Sequence, residues 1–146
     1  KVIEYNCRFG DPETQVVLPL LETDIMDIIE AVWEEKLDTL DIKWSDKSCA
    51  CVVMASGGYP EKYETGKVIN GLDENGQCEG AFVYHAGTKL EDGKFLTAGG
   101  RVLGITAYGD TLQDALDTAY KAVGTISFEK AHYRHDIGKK ALSALK

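Results

Sequence analysis

Ser48-Cys49-Ala50-Cys51-Val52-Val53-Met54-Ala55 is the stretch on which the reading of the fold turns. Eight small or apolar residues, closed by the turn-rich Ser56-Gly57-Gly58-Tyr59-Pro60, have the length and bounds of a strand. On a strand Cys49 and Cys51 face the same side. Before this stretch the apolar period is helical, and after it the pattern is that of strands and turns.

Upstream, Ile25, Ile28, Ile29 and Val32 recur at i, i+3, i+4 and i+7, an amphipathic helix with Thr23 as the expected N-cap. Asp24 and Asp27 lie in its first turn, where the helix dipole favours acids. Val2 to Asn6 reads as a short strand, Cys7 to Pro12 as a loop, and Glu13 to Leu21 as a short helix kinked or ended by Pro19. Leu37 to Asp46 reads as a linker. Downstream, Lys67 to Asn70, Gly80 to His85, Lys94 to Ala98 and Arg101 to Ala107 are expected strands. Asn75-Gly76 and Asp92-Gly93 are turns, the second suggesting a hairpin. Leu112, Ala115, Leu116, Ala119, Ala122 and Val123 mark a second amphipathic helix capped by Asp110 or Thr111, and Asp136 to Leu145 a short terminal one. The expected class is α+β: residues 1–40 as one part, and residues 45–146 as an antiparallel β unit with packed helices.

Composition sets bounds on function. The 146 residues are 44% hydrophobic, 27% charged and 9% aromatic, enough apolar material for a core. A formal charge of −8 argues against nucleic-acid or anionic-membrane binding. No apolar run reaches the length of a transmembrane helix, and no signal peptide is evident. Cys7, Cys49, Cys51 and Cys78 form no dense disulfide framework and no zinc spacing; Cys49 and Cys51 read as buried free thiols on a strand, and a reducing cytoplasm is expected. The start on Lys1-Val2-Ile3, without methionine, reads as the interior of a longer chain.

The densest polar cluster is Glu4-Tyr5-Asn6-Cys7-Arg8-Phe9-Gly10-Asp11-Pro12-Glu13. On a strand Glu4 and Asn6 share a face, and two oxygen donors there suit a hard cation such as Mg²⁺. Arg8 continues the parity and adds a permanent cation with a bidentate fork. A metal beside an arginine gathers phosphates and neutralises developing negative charge. Asp11, after a glycine, is placed to hold an ammonium or a hydroxyl. Spacing alone equally fits a charged strand face bounded by a turn.

The run Glu4-Tyr5-Asn6-Cys7-Arg8-Phe9-Gly10-Asp11-Pro12-Glu13-Thr14-Gln15 resembles the E-x-N-x-R-F-G-D-P-E-x-Q signature of the glycinamide ribonucleotide synthetase family of ATP-grasp ligases. Ser56-Gly57-Gly58-Tyr59-Pro60 with Tyr63 and Gly66, His85-Ala86-Gly87-Thr88, and Gly99-Gly100-Arg101-Val102-Leu103 resemble further segments of that family in the same order. The resemblance covers essentially the whole chain. It implies the end of an ATP-grasp domain followed by a small, partial-barrel-like C-terminal domain.

It further implies a ligase that joins glycine to 5-phosphoribosylamine while ATP is cleaved to ADP and phosphate, through a glycyl phosphate, in purine biosynthesis. By the family's motif Glu4 and Asn6 would ligate Mg²⁺ (or Mn²⁺) bound to ATP, and Arg8 would meet phosphate or the acyl phosphate. Asp11 and its loop would help hold glycine or phosphoribosylamine. Gly57, Gly58 and Gly100 expose amides that suit an anion, and Arg101 suits the ribose phosphate. The same glycines also satisfy turn geometry, and Arg101 also suits a structural ion pair. His85 reads as a substrate contact or a structural hydrogen-bonding residue, and Trp33 and Trp44 as packing anchors.

No adenine pocket, phosphate-covering loop or phosphate-binding lysine is recognisable, so the missing N-terminal part of the same enzyme is an expected partner and the chain alone is expected to be inactive. An apolar face on residues 1–40, left by absent neighbours, is expected to favour self-association. Two other readings stay open: another ATP-grasp ligase or carboxylase, and a non-catalytic binding module.

Overall fold

The computed structural model describes residues 1–3, 5 and 7–144. The expected metal pair, Glu4 and Asn6, lies outside the described residues, as does Leu145 at the expected end of the last helix.

The fold is α+β. Its centre is a three-stranded antiparallel sheet in which β5 (Arg101–Gly109) lies between β1 (Ser48–Ala55) and β2 (Phe82–His85). The register pairs Met54 with Leu103, Val52 with Ile105 and Ala50 with Ala107, and places Val83 opposite Ile105 across the other edge. Because side chains alternate, these residues line one face. Against that face lies α3 (Leu112–Val123), whose Ala115, Leu116, Ala119, Ala122 and Val123 are buried. The four small or β-branched residues let the helix approach the sheet closely. Each fully buried Leu or Val contributes about 1.5–3 kcal/mol. Thr111 caps α3 through a reciprocal capping box with Asp114.

A second, two-stranded sheet is the hairpin of β3 (Thr88–Glu91) and β4 (Lys94–Thr97). Its turn residues Asp92 and Gly93 both have positive φ, 48° and 71°, as a two-residue hairpin turn of the primed type requires. The two sheets do not close into a barrel. After α3 the chain returns through Ser127 and His132, which bridge to Asn70 and Ala55, and ends in α4 (Lys139–Ala144).

The opposite face of the central sheet carries Cys51, Val53, Thr106, Tyr108, Phe82 and Tyr84. It is covered in part by α1 (Thr14–Val17) and the 3-10 turn Leu18–Leu20. Two hydrogen bonds fasten this segment to β5: Thr106 Oγ1 donates to the Gln15 carbonyl at 3.1 Å, and Tyr108 Oη to that of Pro19 at 3.1 Å.

Several expectations are corrected. Asp24, not Thr23, caps α2 (Ile25–Trp33), its carboxylate accepting from Met26 N at 2.8 Å. The Thr23 hydroxyl instead accepts from Lys43 N at 2.7 Å, tying the helix entry to the linker. Val2, Ile3 and Tyr5 carry no strand assignment and are exposed. Lys67 to Asn70 forms only the single bridges Val68–Leu96 and Asn70–Ser127. No helix is long and apolar enough to cross a membrane among the described residues.

Candidate functional site

The four motif segments singled out in the sequence converge around the start of β5. Ser56, buried, donates from Oγ to the Gly99 carbonyl and from N to the Gly100 carbonyl, both at 2.8 Å. The Ser56–Pro60 loop is thereby pinned on the Gly99-Gly100 turn. The rings of Tyr59 and Tyr63, edge to face at 6.1 Å, close over Gly100, where any Cβ would collide with the Tyr59 ring. Gly58 turns this loop with φ +97°, a region that disfavours a side chain, and its Cα lies against the Lys62 carbonyl. Gly57 packs against Lys130. Gly87 N donates to the Arg101 carbonyl at 2.9 Å, and Ala98 N to the Gly87 carbonyl at 2.7 Å.

Onto this assembly comes the loop that precedes α1. Arg101 Nη2 meets Asp11 Oδ2 at 2.7 Å, an ion pair between residues 90 positions apart. The other Asp11 oxygen accepts from Gln15 Nε2 at 2.9 Å. Thr14 Oγ1 hydrogen-bonds back to the Gly10 carbonyl and turns the loop into α1. Phe9, Gly10 and Asp11, with Gln15 and Leu18 opposite Tyr84 and His85, bound an open cleft of about 610 Å³. Arg8 lies exposed beside it, donating from Nη1 to the Phe9 carbonyl at 3.1 Å.

Sequence-expected residues thus divide. Asp11, Gly100 and Arg101 are brought together, with Gly57 and Gly58 supporting the tyrosines that flank Gly100. Arg8, two residues before Gly10, makes no hydrogen bond or ion pair with Asp11 or Arg101. His85 is fully engaged in structure: one ring nitrogen lies 2.8 Å from Thr88 Oγ1, the other 2.9 Å from the Gly76 carbonyl. That carbonyl can only accept, so Nε2 carries the proton. Gln15, Tyr59, Tyr63 and Thr106 were given no role from sequence. Gln15 had a readable signal, since it stands four residues after Asp11 at the entrance of a helix.

Burial shapes the thiols nearby. Cys49 is pushed up to about 11, chiefly by burial and then by the neighbouring Cys51. Cys51 is also raised by burial, against a hydrogen bond to Thr106. Both are poor nucleophiles at neutral pH. All four cysteines are free. No cluster of three or more His, Cys, Asp or Glu suited to a metal occurs among the described residues.

The family model for the phosphoribosylglycinamide synthetase C domain matches residues 49–140. This chain belongs to the phosphoribosylglycinamide synthetase family. Within that family it is 54% identical, over 94% of its length, to the phosphoribosylamine–glycine ligase of Caldanaerobacter subterraneus subsp. tengcongensis, of which it covers 32%. It is 52% identical, over 99% of its length, to a bifunctional purine biosynthetic protein of Dictyostelium discoideum, covering 18% of that chain. The crystal structure of the Thermotoga maritima phosphoribosylamine–glycine ligase matches 92% of the chain with a TM-score of 0.72 at 33% identity, over 32% of that enzyme. The chain spans about a third of the length of the ligases it matches.

Proposed function

We propose that this chain is the C-terminal part of an ATP-dependent ligase that forms glycinamide ribonucleotide from 5-phosphoribosylamine and glycine in purine biosynthesis. The observation that carries the reading is the meeting of Asp11 and Arg101 at 2.7 Å. Each comes from a stretch that resembles the ligase family, and nothing in their spacing requires them to touch. Relatives of that name over nearly the whole chain support it.

In this reading ATP phosphorylates the glycine carboxylate and ADP leaves. The amine of phosphoribosylamine then attacks the acyl carbon, the phosphate departs with its bonding pair, and the nitrogen gives up one proton to solvent. Arg8, exposed at the cleft, supplies a cation for phosphate oxygens. Arg101 offers its guanidinium to an anionic substrate group, the amides at Gly57, Gly58 and Gly100 are proposed as further donors to an anion, and Asp11 holds the loop that faces glycine or phosphoribosylamine. Glu4 and Asn6 are proposed as oxygen ligands of Mg²⁺ or Mn²⁺, a donor set suited to a hard cation; such an ion would neutralise ATP phosphates. Residues 1–40 are proposed to belong to the nucleotide-binding part and 45–146 to a C-terminal domain. Cytoplasmic localisation accords with the free thiols.

The chain alone is proposed to be inactive, because positioning requires a complete constellation. The test is ATP- and glycine-dependent phosphate release with freshly generated phosphoribosylamine, for this chain and for one extended to the full length of its relatives. Activity only in the extended chain is expected. An inactive extended chain would overturn the reading.

A further inference from the structure

Gln15 sits at the junction of two fastenings. Its backbone carbonyl accepts from Thr106 Oγ1, in the middle of β5, and its side chain donates to Asp11, which holds Arg101 at the start of the same strand. β5 therefore grips the 10–15 turn at two points, and Gln15 links them. The orientation of the amide is chemically determined: with Oε1 toward Asp11, two acceptors would oppose each other. Oε1 instead turns inward, where it is buried and has no partner among the described residues. An amide held with one end unsatisfied takes its direction from the end that is bonded, here the Asp11 carboxylate. Asp11 in turn uses one oxygen on Gln15 and the other on Arg101. Among the described residues Arg101 makes this one side-chain hydrogen bond, so most of its donor fork is left for an external anion. Both members of the ion pair are about half exposed, and an exposed pair of long side chains is not held in one geometry by charge alone.

We propose that Gln15 is a positioning residue that fixes the Asp11 carboxylate and, through it, aims the Arg101 guanidinium at an anionic group of the substrate. The proposal rests on the ligase reading above. The anion is an oxyanion, either the phosphate ester of phosphoribosylamine or the carboxylate of glycine.

The test uses the extended enzyme with Gln15→Met, which keeps reach but removes the donor, and Gln15→Glu, which keeps shape but opposes Asp11 with a like charge. Each is combined with Arg101→Met. Either single Gln15 variant should raise KM for one anionic substrate about tenfold, with kcat and the KM for ATP little changed. A rise for phosphoribosylamine assigns the phosphate, and a rise for glycine assigns the carboxylate. In the Arg101→Met background the Gln15 variants should change that KM by less than about twofold, because the group they aim is gone. An unmoved KM in an active enzyme overturns the proposal alone. So does a uniform rise for all three substrates, or Gln15 and Arg101 effects that multiply. A wild-type extended chain without ligase activity overturns the ligase reading and this proposal together.

Discussion

Isolated as these residues, the chain should self-associate through α2. Ile25, Met26, Ile29 and Val32 are between 38% and 55% exposed, and Trp33 is 88% exposed. They crowd one side of a nine-residue helix whose packing is otherwise to the adjacent Leu37–Thr39 turn. Together they amount to roughly three fully exposed apolar side chains, worth about 6 kcal/mol if buried and about 12 kcal/mol when two such faces meet. Association costs about 4–8 kcal/mol in the lower part of its range, which leaves about 4–8 kcal/mol, a dissociation constant between about 1 mM and 1 μM. Ile29→Glu puts a charge in the middle of the patch and should weaken association at least about a hundredfold. Sedimentation equilibrium from about one micromolar to one millimolar protein, the span of that estimate, gives the constant, and fluorescence in a Trp44→Phe background reports whether the Trp33 ring is covered. A chain that stays monomeric throughout, or an Ile29→Glu variant that associates as well as the parent, would refute the reasoning.

Burial sets three further outcomes. Ile105 is 0% exposed, with Val52 and Val83 opposite it on both neighbouring strands, so Ile105→Ala should lower unfolding free energy by about 3–4 kcal/mol. Leu90→Ala, at a site 65% exposed, should cost under about 0.5 kcal/mol; equal shifts of the two denaturant midpoints would contradict this account of the core. The Cys49 thiol, at about 11 in the folded chain against an ordinary 9.0, stays protonated where the unfolded chain has already lost its proton. Stability from this group is therefore complete below pH 9 and is lost as pH rises toward 11. Denaturant midpoints between pH 7 and pH 11 should fall over that window and fall less in Cys49→Ala. Alkylation at pH 8 should label exposed Cys7 about tenfold faster than Cys49 or Cys51.

Where local physics decided the structure, it was legible in the residues. The apolar run 48–55, the Asp92-Gly93 turn, and the period and cap of α3 each state their own conformation. β3 was not legible: Thr88-Lys89-Leu90-Glu91 has no buried face and is a strand because Lys94–Thr97 folds back on it. Lys67–Asn70 has a strand's composition, but its ladder is reduced to isolated bridges at Val68 and Asn70 with single hydrogen bonds from Lys67 and Ile69 to β4. Thr23 and Asp24 are both good caps, and a distant partner, Lys43, settled which was used. At the site, Asp11 and Arg101 could each be picked out by type and by resemblance. That they bond to each other is a product of tertiary register. Gln15 carried a motif position, but its task depends on Thr106 and Arg101 both lying on one strand.

The family match begins at residue 49, yet the outer face of β5 is roofed by residues before 21. A trimming experiment that took residue 49 as its first would cut β1 one residue short. It would also unroof Thr106 and Tyr108 and deprive Arg101 of its counter-charge. The product would keep the α3 side of its core and present a bare, flat, three-stranded surface on the other, the kind of surface that seeds precipitation. The span of the family match is therefore not a unit that can be cut out of this protein without loss.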